Sequence, residues 1–306
     1  MTDRIRGLLA PVVTPFTATL QPDAARLLQH CQWLLSQGSG LAVFGTNSEA
    51  NSLSVDERIA LLDRLIDGGI PANRMMPGTG CCAISDSIRL TARAVSHGVA
   101  GVLMLPPFYY KGVTDEGLYR NFSAIVDAVG DDRLRIYLYH IPPVAQVGIS
   151  LELIERLLKT YPGTVAGIKD SSGDWNHTQA LVNRFAGAGF DVFAGSESFL
   201  LANLRAGGAG CISATANVNP AAIDRLVQQW MTSDADTLQA SLDRVRGIFQ
   251  KRPMIAALKR AIAHWRDDED WARVRPPLVE LDSAQSAALV DELAAAGFTM
   301  PGLRRT

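Results

Sequence analysis

A lysine at the end of a short apolar run is the residue whose position in this sequence most directly suggests chemistry. Residues 165–168 are Val-Ala-Gly-Ile, Lys169 follows them, and a polar, glycine-containing segment begins at Asp170. This pattern predicts a buried strand that ends at the mouth of a sheet. Burial among apolar side chains disfavours an ammonium ion, so an amine at such a place can attack a carbonyl group and form a Schiff base. The alternative interpretation is that Lys169 is the first solvated residue of a loop.

A tyrosine at the end of an earlier apolar run is the second candidate. Residues 137–140 are Tyr-Leu-Tyr-His. Because side chains alternate along a strand, Tyr139 lies on the same side as Tyr137, and His140 lies on the opposite side. If Tyr139 faces the same interior as Lys169, its hydroxyl group could carry protons to and from the amine. From strand position alone, a tyrosine that only fills space is an equally good interpretation.

A turn rich in small polar residues is the third candidate. The segment Gly45-Thr46-Asn47-Ser48-Glu49 follows a short apolar run. Hydroxyl groups and exposed backbone N–H groups in such a turn suit a carboxylate ligand. Taken alone the signal is weak, because many turns between a strand and a helix have this composition.

Metal and nucleotide sites are not indicated. The five histidines have no ligand-like spacing, and no glycine-rich segment follows a strand and opens a helix as phosphate and dinucleotide sites require. The adjacent pair Cys81 and Cys82 lacks the spacing of a redox or zinc site, and four cysteines in 306 residues make no disulfide framework. We therefore expect no metal ion and no other cofactor.

The three candidates belong to a repeating pattern in which an apolar run is followed by a segment with helical periodicity. The eight runs span residues 5–16, 40–45, 75–80, 101–105, 134–140, 165–169, 191–195 and 210–214. Eight strand–helix units with short connections predict an α/β fold, a (β/α)₈ TIM barrel, because that number closes a parallel sheet on itself. In such a barrel the reactive groups lie at the C-terminal ends of the strands, where Lys169 and Tyr139 would be.

The pattern changes after residue 234. Three helical segments, residues 238–250, 253–265 and 283–296, follow one another without a strand between them. We expect a catalytic barrel over residues 1–231 and a C-terminal three-helix appendage over residues 232–306, packed on the barrel as one cooperative unit.

The composition argues against several classes of partner. The net charge is −2 and no basic stripe is present, so nucleic acid and anionic membranes are poor candidates. The N-terminal residues lack the features of a secretory signal, and no apolar run approaches the roughly 18 residues of a spanning helix. We therefore expect a cytoplasmic protein.

Taken together, three segments resemble the dihydrodipicolinate synthase and N-acetylneuraminate lyase family. They are the turn at 45–49, the segment Tyr139-His140-Ile141-Pro142 and residues 167–173, Gly-Ile-Lys-Asp-Ser-Ser-Gly, and the likeness covers essentially the whole chain. The resemblance implies a class I aldolase or a related lyase or dehydratase that acts on pyruvate or other 2-oxo acids without a metal. It implies that Lys169 forms the Schiff base and that Tyr139 relays protons.

The resemblance also implies further site residues. Thr46 would help to hold the substrate carboxylate, and Gly195 and Ile212 would lie near the bound pyruvyl group. A tyrosine that family members insert into a neighbouring subunit matches Tyr110, or Tyr109 if the count starts from Pro107. Either match implies at least a dimer, and the family implies a homotetramer built as a dimer of dimers.

Departures from the family pattern bear on the substrate. Asn47 and Ser48 replace the usual Thr-Gly, so the carboxylate site is altered. Val144 stands where true dihydrodipicolinate synthases have an arginine that binds a second carboxylate, and an apolar side chain cannot make that contact. His140 replaces a common asparagine. We therefore expect a substrate site that includes Asn47 and His140, in an enzyme other than a true dihydrodipicolinate synthase.

The prediction is an enzyme that cleaves or forms a carbon–carbon bond in a 2-oxo acid, with pyruvate as one partner; a 2-keto-3-deoxy sugar acid is one candidate substrate. Three alternatives stay open. The same imine could eliminate water or ammonia, as in a dehydratase or deaminase. The protein could be a dihydrodipicolinate synthase after all, or a homologue that binds 2-oxo acids without catalysis.

Overall fold

The computed structural model describes residues 4–303, and its strands begin where the apolar runs predict them. Strands that pair within the described residues do so in parallel. Within the described residues the strands are β1 Gly7–Ala10, β2 Gly40–Leu41, β3 Val102–Met104, β4 Ile136–His140, β5 Val165–Asp170, β6 Asp191–Ala194 and β7 Gly210–Ile212.

The helices follow the strands in sequence as predicted, with one short addition. In the described residues they are α1 Ala24–Ser36, α2 Val55–Asp67, α3 Ile84–Ser96, α4 Asp115–Val129, α5 Pro142–Ala145, α6 Leu151–Thr160, α7 Trp175–Phe185, α8 Leu200–Arg205, α9 Pro220–Gln229, α10 Ala235–Gln250, α11 Met254–Arg266 and α12 Ser283–Ala295. Helix α2 begins with a capping box: the Glu57 N–H donates to Ser54 Oγ over 3.1 Å, and the Ser54 N–H donates to Glu57 Oε2 over 2.8 Å. The addition is α5, where two prolines occupy the first turn.

The third apolar run forms a bridge rather than a regular strand. Gly78 pairs with Leu103, whose carbonyl accepts from the Thr79 N–H over 3.0 Å and whose N–H donates to the Pro77 carbonyl over 2.9 Å. Pro77 has no N–H to donate, which limits the hydrogen bonds that this run can make. The run is therefore extended and paired, but too briefly to count as a strand.

The chain forms two compact units. One consists of residues 4–6 together with Pro71–Ile212. Within it, β3, β4, β5, β6 and β7 lie side by side in that order. Leu138, Ile168 and Val192 at the centre of this sheet are completely buried.

The second unit consists of Gly7–Ile70 and residues 213–303. Here β1 pairs with β2, and the three C-terminal helices α10, α11 and α12 contact one another. Helix α10 also contacts α9. The three predicted C-terminal helices are thus present, in the same compact unit as the first two strands, and the predicted boundary after residue 231 stays a prediction. No helix of the described residues combines the length and the apolar character that crossing a membrane requires.

A buried ion pair connects the turn after β2 to helix α11 within this second unit. The side chains of Glu49 and Lys259 are both completely buried, and Lys259 Nζ donates to Glu49 Oε1 over 2.6 Å. The other carboxylate oxygen accepts from the Arg275 N–H over 2.9 Å. Desolvation lowers the pKa of Lys259 to about 8, although Glu49 opposes the shift. Burial of the two charges costs free energy, which their mutual contact and the hydrogen bond from the Arg275 N–H offset.

We predict that Lys259→Met lowers the free energy of unfolding by about 3–5 kcal/mol, because it leaves the Glu49 carboxylate buried without its partner. Urea unfolding at neutral pH measures the change. Arg260→Met is the matched control on the same helix: its partner Glu269 is 78% exposed, so a loss of only ~0–1 kcal/mol is expected. Equal losses in both variants would contradict the prediction. The double variant Glu49→Gln with Lys259→Met should recover part of the stability, since neither charge then remains.

Candidate active site

The pairing of β4 with β5 brings the first two candidate residues together. Tyr139 and Lys169 are register partners, so their side chains extend from the same face of the sheet. The Lys169 Nζ atom lies 4.1 Å from the centroid of the Tyr139 ring. Both residues are only 2% exposed. Lys169 is therefore a buried strand residue, and its interpretation as the first solvated residue of a loop is wrong.

A second tyrosine, two residues before Tyr139 on the same face of β4, fills the space next to this pair. Tyr137 is the register partner of Gly167, and a Cβ atom on Gly167 would lie 2.6 Å from the Tyr137 ring. Glycine at 167 therefore makes room for that ring. The Tyr137 hydroxyl donates to Asp191 Oδ2 over 3.1 Å, and burial together with the neighbouring carboxylate raises the pKa of the phenol. Tyr137 thus fills the interior, whereas Tyr139 lies against the amine.

The residues that follow the pair form a cluster on the other face of the sheet. His140 and Asp170 are also register partners, one position further along each strand. Asp170 has a completely buried side chain and accepts from His177 Nδ1 over 3.1 Å and from Thr178 Oγ1 over 2.6 Å. The N–H and the hydroxyl of Ser172 donate to the same carboxylate over 3.0 and 3.1 Å. Sequence reasoning missed this cluster.

The two histidines of the cluster have pKa values shifted in opposite directions. The His140 Nδ1 atom accepts from the Ile149 N–H over 3.0 Å, so the neutral ring carries its proton on Nε2. Desolvation lowers the pKa of His140 to about 4. The hydrogen bond with Asp170 raises the pKa of His177, against a smaller opposing effect of burial. Burial alone would raise the pKa of Asp170, but the hydrogen bonds from His177 and Thr178 hold it below its usual value.

The same three residues, His140, Asp170 and His177, have potential metal-ligand atoms within 4.8 Å of one another. A metal-bound histidine donates from its other ring nitrogen to a carbonyl or carboxylate group. His140 does the reverse, because its Nδ1 accepts a backbone N–H. The imidazole rings of His140 and His177 are also stacked at 4.5 Å with 16° between their planes. The cluster therefore fits a hydrogen-bonded network better than a metal centre.

Gly195 and Ile212 lie at the ends of β6 and β7, as the sequence indicates. The Gly195 N–H donates to the Asp170 carbonyl over 2.7 Å. A Cβ atom at Gly195 would lie 2.1 Å from Ser171 Oγ and 2.7 Å from the Asp170 carbonyl oxygen, so glycine is required by the close approach of the backbone at the end of β5. Ile212 is completely buried. Ser171 adds a hydroxyl group next to Gly195, and the polar segment after Lys169 was the only sequence signal for it.

The two candidate tyrosines of the loop between β3 and α4 are exposed. Tyr109 and Tyr110 are 74% and 73% exposed, and their rings meet edge to face at 5.4 Å between centroids. Lys111 fixes the end of this loop by donating from Nζ to the Ala145 carbonyl over 2.8 Å. The aromatic pair is therefore presented at the surface of this chain, and its insertion into a neighbouring subunit stays a prediction.

The third candidate, the turn at 45–49, lies in the second compact unit. Thr46–Ser48 form a short 3₁₀ helix, and the Gly45 N–H donates to Ser48 Oγ over 3.2 Å. The Thr14 hydroxyl donates to the Ser48 carbonyl over 2.7 Å. Thr46 and Asn47 are half-buried in this turn. The structure thus holds the turn in one conformation, and carboxylate binding by Thr46 and Asn47 stays a prediction.

Comparison with known proteins places the chain among relatives over nearly its whole length. Residues 4–296 match the dihydrodipicolinate synthetase family. A Chloroflexus aurantiacus protein described as an uncharacterized DapA-like lyase is 34% identical over 294 residues, which cover 93% of this chain and 94% of that protein. The family resemblance seen in the sequence is confirmed.

Solved structures agree with the fold. The dihydrodipicolinate synthase of Agrobacterium tumefaciens C58 is similar with a TM-score of 0.87 and 32% identity, covering 95% of this chain and 99% of that one. YagE, a prophage protein of the dihydrodipicolinic acid synthase family from E. coli K12 in complex with pyruvate, is similar with a TM-score of 0.87 and 26% identity, covering 96% and 99%. The predicted (β/α)₈ barrel with C-terminal helices is confirmed.

We predict that one of the two stacked histidines titrates below the usual histidine pKa and the other above it. In a histidine NMR titration, His140 should stay neutral until about pH 4, and His177 should protonate above its usual range. As the pH falls from about 6.5 to 4, the imidazole of residue 140 becomes protonated in the unfolded chain but stays neutral in the folded chain. His140 therefore lowers the free energy of unfolding over this pH range. The stabilisation from His177 is complete below about pH 6.5 and is lost as the pH rises through its folded pKa.

The variants His140→Asn and His177→Gln assign the two signals. Titration of both rings near pH 6.5, the value of an unperturbed histidine, would contradict the cluster as described.

Proposed function

The chain belongs to the dihydrodipicolinate synthetase family, and on this basis we propose that Lys169 forms a Schiff base with a 2-oxo acid. The enzyme then cleaves or forms a carbon–carbon bond in that acid. Members of the family are class I lyases and aldolases, so the protein is an enzyme of this class. The observation that supports the role of Lys169 is its burial at the end of β5, beside the Tyr139 ring. An amine in a site from which water is largely excluded suits carbonyl attack.

In the cleavage direction, the amine adds to the 2-oxo carbon and water leaves, which gives a protonated imine. The bond between the third and fourth carbons then breaks as the imine accepts its electron pair, while the hydroxyl at the fourth carbon loses a proton and becomes an aldehyde. The resulting enamine takes up a proton, and water releases pyruvate and the free lysine. We assign the proton transfers to Tyr139, whose ring lies against the amine.

Pyruvate as the shared product is supported by the pyruvate complex of the similar YagE structure. The carboxylate of the oxo acid is assigned to Thr46 and Asn47 from the family pattern alone, and Gly195 and Ile212 are assigned to the pyruvyl group on the same basis. His140 presents its ring on the face opposite Lys169, and its assignment to the substrate site comes from the family pattern alone.

The substrate is proposed to be a hydroxylated 2-oxo acid with a single carboxylate, such as a 2-keto-3-deoxy sugar acid, so that its aldehyde half carries hydroxyl groups and no carboxylate. Val144 on α5 is 61% exposed and carries no charge, so it cannot bind the second carboxylate of a dihydrodipicolinate synthase substrate. The hydroxyl of Ser171 beside Gly195 is available for a hydroxylated substrate. A dehydratase or deaminase that uses the same imine is the second candidate, because the imine activates the neighbouring carbon for either outcome.

The exposed pair Tyr109 and Tyr110 supports an assembly in which an aromatic side chain enters a neighbouring subunit. A large exposed aromatic pair is unusual for a surface that stays in water. A homotetramer built as a dimer of dimers, and a cytoplasmic location, stay predictions.

We predict that incubation with pyruvate and borohydride adds one reduced pyruvyl group to the protein, measured as intact mass. Lys169→Ala should give no adduct. Lys159→Ala, which removes an exposed lysine of α6, is the control and should react as the unaltered protein does. Tyr139→Phe should keep the fold and slow the reaction about 10²–10⁴-fold, the range for loss of a proton-transfer group. An adduct that persists in Lys169→Ala would refute the assignment.

A panel of sugar-derived 2-oxo acids then separates the two reaction outcomes. Release of pyruvate with an aldehyde identifies a carbon–carbon lyase. A product that keeps all the carbon atoms of its substrate and loses water or ammonia identifies the second candidate.

A further inference from the structure

The residues that follow Tyr139 and Lys169 meet behind the sheet. His140 and Asp170 are register partners on the face opposite the amine and the phenol. Backbone hydrogen bonds continue past both strands, since the His140 carbonyl accepts from the Ser171 N–H over 2.7 Å. Any contact that holds His140 and Asp170 therefore acts on the backbone from which the two reactive side chains extend.

The Asp170 carboxylate is held by more donors than an ordinary surface carboxylate. It has no solvent exposure and accepts four hydrogen bonds, from the Ser172 N–H, the Ser172 hydroxyl, the Thr178 hydroxyl and the His177 ring. A buried carboxylate requires such partners. Among these donors His177 alone is able to carry a positive charge, so it is the one that can neutralise Asp170.

His177 also contacts the neighbouring strand. Its ring stacks on the His140 ring at 4.5 Å, and the Ile149 N–H fixes the orientation of His140 through Nδ1. The charged or titratable groups that face His177 are Asp170, the neutral ring of His140, and Asp174 in the loop before α7, whose charge favours the protonated ring. The His177 ring thus lies between a residue of β4 and a residue of β5.

We propose that His177 is a positioning residue for imine formation at Lys169. By joining Asp170 to His140 behind the sheet, it fixes the strand ends from which the amine and the Tyr139 hydroxyl extend. The inference rests on the proposed function, because it gives His177 a part in that reaction without contact with substrate. The protonated ring does this best, since it pairs with the Asp170 carboxylate as an ion; deprotonation leaves the carboxylate buried with neutral donors only.

The test is the rate of imine formation with pyruvate, trapped with borohydride and read as intact mass, over about pH 5 to 9, where histidine titrates. His177→Leu removes the donor and the charge and should slow trapping roughly 10- to 100-fold, as expected when reacting groups are misplaced. His177→Gln keeps an N–H donor for Asp170 but cannot titrate. It should lose less than about tenfold in rate, and its profile should lack the decline that the unaltered protein shows as His177 loses its proton.

His264→Gln, which replaces an exposed histidine of α11, is the control and should match the unaltered protein in rate and profile. Urea unfolding of each variant gives the folded fraction, by which the rates are corrected. If both His177 variants match the unaltered protein in corrected rate and in pH profile, the positioning role is overturned. The proposed function is not affected by that result. If His177→Leu does not fold, the pH profile of His177→Gln decides. Absence of any adduct in the unaltered protein overturns the proposed function and this inference with it.

Discussion

The parallel register between β4 and β5 is the constraint on which the candidate site depends. It pairs Tyr139 with Lys169 and, one residue further, His140 with Asp170. Because side chains alternate along a strand, a single register determines which groups meet on each face of the sheet. The phenol and the amine meet on one face, and the imidazole and the carboxylate meet on the other. A slip of one residue would exchange the faces and place Asp170 where the amine must be. The chemistry of the site therefore depends on how firmly these two strand ends are held.

Burial makes this arrangement demanding, because each polar group removed from water needs a partner. Behind the sheet, Asp170 meets this need with donors from the loop after β5 and from the first turn of α7. The helix that follows the strand is thereby tied to the strand end. Inside, the amine lies against the face of an aromatic ring, which attracts a cation without accepting its proton. The face that carries Lys169 therefore suits a nucleophile, and the face that carries Asp170 suits a fixed network of hydrogen bonds.

Much of the fold could be predicted from the sequence because local pattern determines it. Apolar runs followed by segments with helical periodicity predicted the strands and most helices, and alternation placed Tyr139 on the face opposite His140. The third run failed to form a regular strand because Pro77 cannot donate, which periodicity does not reveal. The Asp170–His177 contact was missed for another reason: the two residues are separated by a loop, and only the register and the path of that loop bring them together. The assignment of residues 213–303 to one compact unit with Gly7–Ile70 depends on contacts between segments far apart in the sequence, which a linear pattern does not encode.

Two buried lysines show why burial alone does not identify a nucleophile. Lys259 is completely buried, yet its Nζ atom lies 2.6 Å from the Glu49 carboxylate, which favours the ammonium form and commits the amine to an ion pair. Lys169 is 2% exposed and has no ion-pair partner within residues 4–303. The carboxylate nearest to it in sequence, Asp170, extends from the other face and is satisfied there by its own donors. An amine can attack a carbonyl only with a free electron pair, so directing Asp170 away from Lys169 matters as much to the proposed reaction as burying the lysine.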